Sequence, residues 1–189
     1  MQFDINLFQA LHSLVGVSSI LDFLGIFLAR FLAYFLIVIL VVLFVIESNW
    51  RKKIYDSALI VLSVIFSRGI IVEGIRVFYE RLRPPVVLGF EALIPVPHSP
   101  AFPSGHASFF FALATALFFI HRKWGIWFLA GSLVMGIARV FVGVHWPMDI
   151  VGGIAVGVVS AFIAYILLDY RKANMLYNDA TNRTMGDDS

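Results

Sequence analysis

Apolar and polar positions in this chain fall into long apolar blocks separated by short charged punctuation. The blocks run from Arg30 to Ile46, Tyr55 to Phe78, Ser104 to Ile120, Trp127 to about Val144, and Asp149 to Leu168. Each approaches the ~20 residues a helix needs to cross a bilayer. Inside lipid only a helix or a closed barrel satisfies every backbone polar group, so the pattern predicts an all-α polytopic membrane bundle of about five transmembrane helices. Ahead of them, Ile5 to Leu28 is apolar but broken by Asn6, Gln9, His12, Ser13, Ser18, Ser19 and Asp22. That segment is expected as one or two short helices lying in the interface or packed on the bundle, with a sixth crossing as the alternative. The loop Glu80 to Phe102 holds five prolines yet is apolar through Val86, Val87, Leu88, Phe90, Leu93 and Ile94, so it should be ordered against the membrane surface. Residues 173–189 are polar and aperiodic and are expected as a disordered cytoplasmic tail, leaving 1–172 as a single membrane-embedded domain.

Composition agrees with the pattern. Hydrophobic residues make up 60% and charged residues 14% of the 189 positions, and mean hydropathy is +0.91, which excludes an ordinary soluble globule. There is no cysteine, so disulfides and thiolate chemistry are excluded. The net charge of +2 is small and dispersed, so no nucleic-acid partner is expected. The first residues lack the basic region of a secretory signal, and no cleaved peptide is expected. With five crossings, the basic closures Arg51 to Lys53, Arg122 with Lys123, and Arg171 with Lys172 fall on one side, which the positive-inside rule assigns to the cytoplasm. The loop Glu80 to Phe102 and the turn at His145 then share the outer face of a multi-pass cell (inner) membrane protein. Gly153 and Gly157 form a small-xxx-small pair that lets a neighbouring helix approach.

Three stretches bring charge to that outer face. Arg76 and Arg83 are seven apart, about 20° from one helical face, and Pro84 opens the helix into the loop there. Glu73 and Glu80 flank Arg76, so a plain ion-pair ladder is the alternative. Phe102-Pro103-Ser104-Gly105-His106 offers an N-cap, a close-approach glycine and a helix start with free N–H groups, an arrangement suited to an anion. His106 would be placed to protonate a leaving group, unless it only snorkels from a capped helix. Arg139 and His145 are six apart, about 240° on a continuous helix, so both can face one ligand only if the backbone breaks, as Gly143 and Pro147 allow. Asp149 can fix the tautomer of His145 and free its other nitrogen as a nucleophile. Alternatively, Arg139 snorkels and Asp149 is only an N-cap. Arg68 is expected to pair within the bundle, with Glu73, and His121 to belong to a basic cluster. His12 carries no functional argument.

Together, Arg76-x6-Arg83-Pro84, Pro103-Ser104-Gly105-His106 and Arg139-x5-His145-x3-Asp149 resemble the three-part signature of the type 2 phosphatidic acid phosphatase superfamily, which includes bacterial acid phosphatases and vanadium haloperoxidases. Two positions depart from the family pattern: Arg76 stands where Lys is usual and Ala138 where Ser is frequent. The first exchanges a point ammonium for a planar fork, and the second removes a hydrogen bond.

The resemblance implies a metal-independent, cofactor-free lipid phosphatase. His145 would be the nucleophile forming a phosphohistidine, His106 the general acid and Asp149 the orienting carboxylate. Arg76, Arg83, Ser104, Gly105 and Arg139 would hold the phosphate, with no metal ligand. The partner would be a lipid phosphate within the bilayer. Undecaprenyl diphosphate is the favoured substrate, partly because the short layout resembles bacterial undecaprenyl-diphosphatases. Phosphatidylglycerol phosphate and phosphatidic acid are the alternatives, and an anion or lipid transporter is the non-enzymatic one.

Overall fold

The bundle is helical, as expected. The computed structural model describes residues 2–186, with side chains through Asp169, and contains no strand among them. Its elements are α1 (Gln2–His12), α2 (Ser19–Arg30), α3 (Leu32–Ile46), α4 (Trp50–Val64), a π-helical segment (Ile65–Ile71), α5 (Val72–Phe78), α6 (Pro84–Leu88), α7 (Gly105–Ile120), α8 (Arg122–Phe141) and α9 (Pro147–Gly186). The expected disordered tail, 173–189, has its side chains and its last three residues outside the described part of the chain.

Among the described residues, three helical stretches are long and apolar enough to cross a membrane: Trp50–Phe78, which joins α4 to α5, then α8, and α9 as far as Asp169. Helices α2 and α3 qualify together, with a 44° bend between them. At 16 residues α7 is shorter, yet it is buried on nearly every side from Ala107 to Leu117. A helix that is apolar all round belongs at the centre of a bundle.

Close packing around α7 comes from α9. A Cβ on Gly153 would stand 2.6 Å from the Ala107 methyl, and one on Gly157 would stand 2.7 Å from the backbone of both Ala112 and Ser108. The small-xxx-small pair therefore seats α9 directly on the backbone of α7.

The first crossing begins earlier than its apolar run suggests. Gly25 lies under the Phe141 ring, the Ala29 carbonyl accepts from Arg139, and Leu36 packs beside Gly131, so α2 and α3 run antiparallel to α8. Helix α2, expected in the interface or packed on the bundle, is thus packed on α8 and continues into α3 across the 44° bend. Its polar residues hid this because they serve its start: Ser18 caps Ile20, and Asp22 accepts from the Gly16 N–H. Helix α1 remains a separate piece laid over the site end. Its Phe8 is buried with Ala101, Trp146 and Ile150, and His12 meets the free Phe141 carbonyl at the end of α8 (2.9 Å).

At the opposite end, Lys52 bonds Glu47 (2.6 Å) and contacts His121 (3.3 Å), tying α3, α4 and α7 together. The basic residues at 51–53 and 122–123 lie at this end, away from His145.

Candidate active site

Pro147 stands at the first position of α9, where its missing N–H costs nothing. Gly143 adopts φ +88°, which breaks the helix after α8. The break turns Val144 to Trp146 back over the bundle and buries His145, Trp146 and Asp149 almost completely. The Asp149 carboxylate is fully engaged. Its Oδ2 accepts from His145 Nδ1 (3.2 Å) and from the Trp146 N–H (2.9 Å), and its Oδ1 accepts from Arg81 Nη1 (2.8 Å). Asp149 therefore caps the start of α9 and also orients the histidine, so the two alternatives left open by the sequence coexist.

A carboxylate can only accept, so the Nδ1 of His145 carries the proton and Nε2 keeps its lone pair. Nε2 faces Arg83 Nη1 at 3.3 Å. Burial, reinforced by Arg139, Arg83 and Arg76, holds His145 well below its usual 6.5, so the ring stays neutral.

A cavity of about 460 Å³ opens in front of Nε2, lined by Arg76, Arg83, Arg139, Gly105, His106 and His145. Ser104 caps α7 with its hydroxyl toward the Ala107 N–H (3.5 Å), and its own N–H donates to the Asp149 carbonyl (2.9 Å), so the α7 start and the α9 start are fixed together. Arg83 is held by the carbonyls of Val144 (2.8 Å) and Ser99 (3.0 Å). Burial, with Arg76 nearby, pushes it down to about 10, which leaves it charged at neutral pH. Arg76 and Arg139 each make one long bond to a carbonyl, Pro103 at 3.1 Å and Ala29 at 3.3 Å. The Nε of each is buried with no partner. Buried guanidiniums with spare donors are unfavourable unless an anion completes them. Every residue singled out for the site thus lies at one end of the bundle, and among the described residues the cavity lining includes no carboxylate. Its donor set suits an anion rather than a metal ion.

The ion-pair ladder left open as the alternative around Arg76 exists only in part. Glu73 lies 3.5 Å from Arg76 and pairs with Arg68. Glu80 forms no salt bridge among the described residues.

Two site residues escaped the sequence reasoning. Arg81 bridges Asp149 to Asp4 of α1, and Asp4 in turn accepts from the Met148 N–H (2.9 Å). Asp4 is 77 positions from Arg81 and buried. No local spacing links them. The one available signal was an acidic residue in the first turn of a helix. Arg30 and Arg68 also line the cavity. Arg68 makes the expected pair with Glu73, yet it also reaches the site because of the π-helical segment. Eight residues on an α-helix would turn it about 80° from Arg76, and the wider π turn closes that angle.

Comparison with known proteins agrees with this architecture. The chain is 28% identical to the undecaprenyl-diphosphatase BcrC of Bacillus subtilis over 165 residues, 87% of this chain and 83% of that protein. Other curated relatives align over much less of their own length, 32% of one and 34% of another. LpxE of Aquifex aeolicus superposes with a TM-score of 0.68 at 23% identity, covering 85% of this chain and 93% of that one. A transmembrane PAP2 type phosphatidylglycerolphosphate phosphatase from Bacillus subtilis superposes with a TM-score of 0.63 at 19% identity, covering 89% and 86%. The sequence model of the PAP2 superfamily matches residues 57–173, more than half of the chain and the stretch that carries Arg76, Arg83, Arg139, both site histidines and Asp149, so the chain belongs to the PAP2 superfamily.

Proposed function

We propose that the chain is a lipid phosphatase that works without a metal ion through a phosphohistidine at His145, with undecaprenyl diphosphate, presented at the outer membrane face, as its substrate. One observation carries the chemistry. The Nδ1 of His145 is committed to Asp149 while Nε2 opens on a cavity of guanidiniums with unused donors. Nε2 attacks the terminal phosphorus in line, the bond from that phosphorus to the bridging oxygen breaks, and its electron pair leaves with the lipid monophosphate. His106, exposed to the cavity on the first turn of α7, protonates the departing oxygen. Arg83 releases Nε2 to take an equatorial oxygen, and Arg76, Arg139, the Ser104 hydroxyl and the Gly105 N–H take the others. Positioning and charge stabilisation of this kind supply most of phosphoryl-transfer catalysis. Water then attacks the phosphohistidine, its proton passes to His106, the P–N pair returns to Nε2, and phosphate leaves.

The substrate preference is supported by the similarity to BcrC over most of both chains and by a membrane-embedded site beside apolar walls at Ala33, Ile37 and Phe110. Opening at the end remote from the basic closures supports the outer face. Phosphatidylglycerol phosphate and phosphatidic acid would meet the same chemistry. The deciding experiment is phosphate release by the purified protein from undecaprenyl diphosphate, phosphatidylglycerol phosphate and phosphatidic acid, with His145→Ala as control. Fastest turnover of the diphosphate, abolished in the variant, is expected. Equal turnover by the variant would overturn the nucleophile, and silence on every substrate would favour anion or lipid transport.

A further inference from the structure

We infer that Arg30 and Arg68 form a second phosphate subsite beside the first, holding the lipid-linked phosphate of a diphosphate substrate while Arg76, Arg83 and Arg139 hold the terminal one. The inference rests on the phosphatase reading above and adds to it the residues that select diphosphates over monophosphates.

Both arginines line the cavity that His145 opens on. Their placement is built in. Arg68 sits on the backbone of the α7 start, where a Cβ on Gly105 would stand 2.9 Å from its Nε. Gly105 therefore leaves room for that guanidinium beside His106. Glu73 pairs with Arg68 while also approaching Arg76, so one carboxylate steadies the junction between the two groups of arginines. Arg30 ends α2 at the 44° bend, one residue after the Ala29 carbonyl that Arg139 grips. It makes no salt bridge among the described residues and only stands over the Phe31 ring, 5.8 Å away. A cation in a mostly apolar segment, facing a cavity without a carboxylate partner, marks a ligand site rather than a structural pair.

Charge and volume point the same way. Five guanidiniums surround the cavity and Glu73 offsets one of them, an excess larger than a monophosphate dianion neutralises and closer to a diphosphate monoester. At about 460 Å³ the cavity is of the size that encloses whole small ligands, well beyond one phosphate group. The apolar wall formed by Ala33, Tyr34, Ile37 and Phe109 begins next to Arg30, where the lipid chain of a bound diphosphate would start. In the cleavage step the bridging oxygen takes the bond pair, and charge grows on the lipid-linked phosphate. Arg30 and Arg68 would stabilise that charge in the transition state.

The test compares farnesyl diphosphate and farnesyl monophosphate as substrates of the purified full-length protein, with Arg30→Ala, Arg68→Ala and the lysine variants at both positions. Each alanine variant should lower the ratio of kcat/KM for diphosphate over monophosphate by about tenfold or more, the usual consequence of losing a charge-assisted hydrogen bond. The lysine variants should recover part of it. Binding of inorganic pyrophosphate and of phosphate, read as shifts in melting temperature, supplies a measurement independent of turnover. Wild type should bind pyrophosphate more tightly, and the alanine variants should lose that preference. A ratio unchanged in the alanine variants, with the pyrophosphate preference intact, would overturn the subsite alone. Wild-type protein that hydrolyses neither substrate would overturn the phosphatase reading, and the pyrophosphate preference would then still decide the anion subsite.

Discussion

Asp4→Asn is the substitution that tests the reach of the site most sharply, because Asp4 lies on α1 and touches none of the phosphate-lining residues. Its two oxygens accept from Arg81 and from the Met148 N–H, and Arg81 passes the contact to Asp149, which holds His145. Asparagine keeps the shape but presents an N–H₂ to one of these donors. A buried hydrogen bond to a charged group contributes about 1.5–3 kcal/mol, and about 1.4 kcal/mol corresponds to tenfold in rate. Part of that loss should appear as instability and the rest as misorientation of Asp149. We expect kcat to fall about tenfold with KM within about twofold, since the nucleophile is disturbed and the phosphate grip is not. The assay is steady-state phosphate release in detergent, paired with a melting curve. Combination with Arg81→Met gives a double-mutant cycle. If the relay is real, Asp4→Asn should cost less than about threefold once Arg81 is gone, because residues in one network are not additive. Wild-type kcat in Asp4→Asn, or full additivity with Arg81→Met, would refute the relay.

Other consequences follow from the same geometry. His145 must be neutral to attack, and its environment lowers its proton affinity, so the acid limb of kcat/KM that belongs to it should lie below pH 6.5. An imidazole limb above that value that survives in His106→Ala would contradict the burial argument. The same shift means that the unfolded chain binds a proton here before the folded one does, so stability should decline as pH drops below 6.5, measurable as a falling melting temperature. Exhaustive EDTA treatment should leave turnover intact, because arginines line the cavity; loss of activity restored by Mg²⁺ would contradict this. Gly157→Ala would press a methyl against the α7 backbone at 2.7 Å, and overpacking of this kind costs about 1–3 kcal/mol. Its melting temperature should fall visibly, whereas Gly74→Ala, with nothing within 4 Å, should be close to neutral.

The site residues were legible because charge is conspicuous inside apolar blocks. Arg76, Arg139, His106 and Asp149 stood out inside or at the ends of the blocks, Arg83 and His145 were found through their spacing from Arg76 and Asp149, and the breaks at Gly143 and Pro147 followed from backbone chemistry. What stayed hidden has physical causes. Arg81 and Asp4 lie outside the apolar blocks, where a charge is unremarkable, and they meet only because α1 folds over the site. Arg30 read only as the first residue of a crossing, since the serines and Asp22 of α2 resembled interfacial polarity rather than the cap and turn contacts they make. Arg68 was expected to pair within the bundle with Glu73, as it does, and the π-helical segment that also turns it toward the cavity leaves no periodic trace in seven residues.

The central claim is a covalent bond between phosphorus and His145, and trapping that adduct tests it most directly. Purified His106→Ala lacks the group assigned both to protonate the departing oxygen and to activate water, but the farnesyl monophosphate leaving group is stable as an anion and can depart without that proton. Phosphoenzyme should therefore accumulate when the variant is mixed with farnesyl diphosphate and quenched at alkaline pH, where phosphohistidine survives. Peptide mass spectrometry should place the phosphoryl group on His145, with none in His106→Ala/His145→Asn. Phosphate found on another side chain, or rapid turnover by protein lacking His145, would contradict the account.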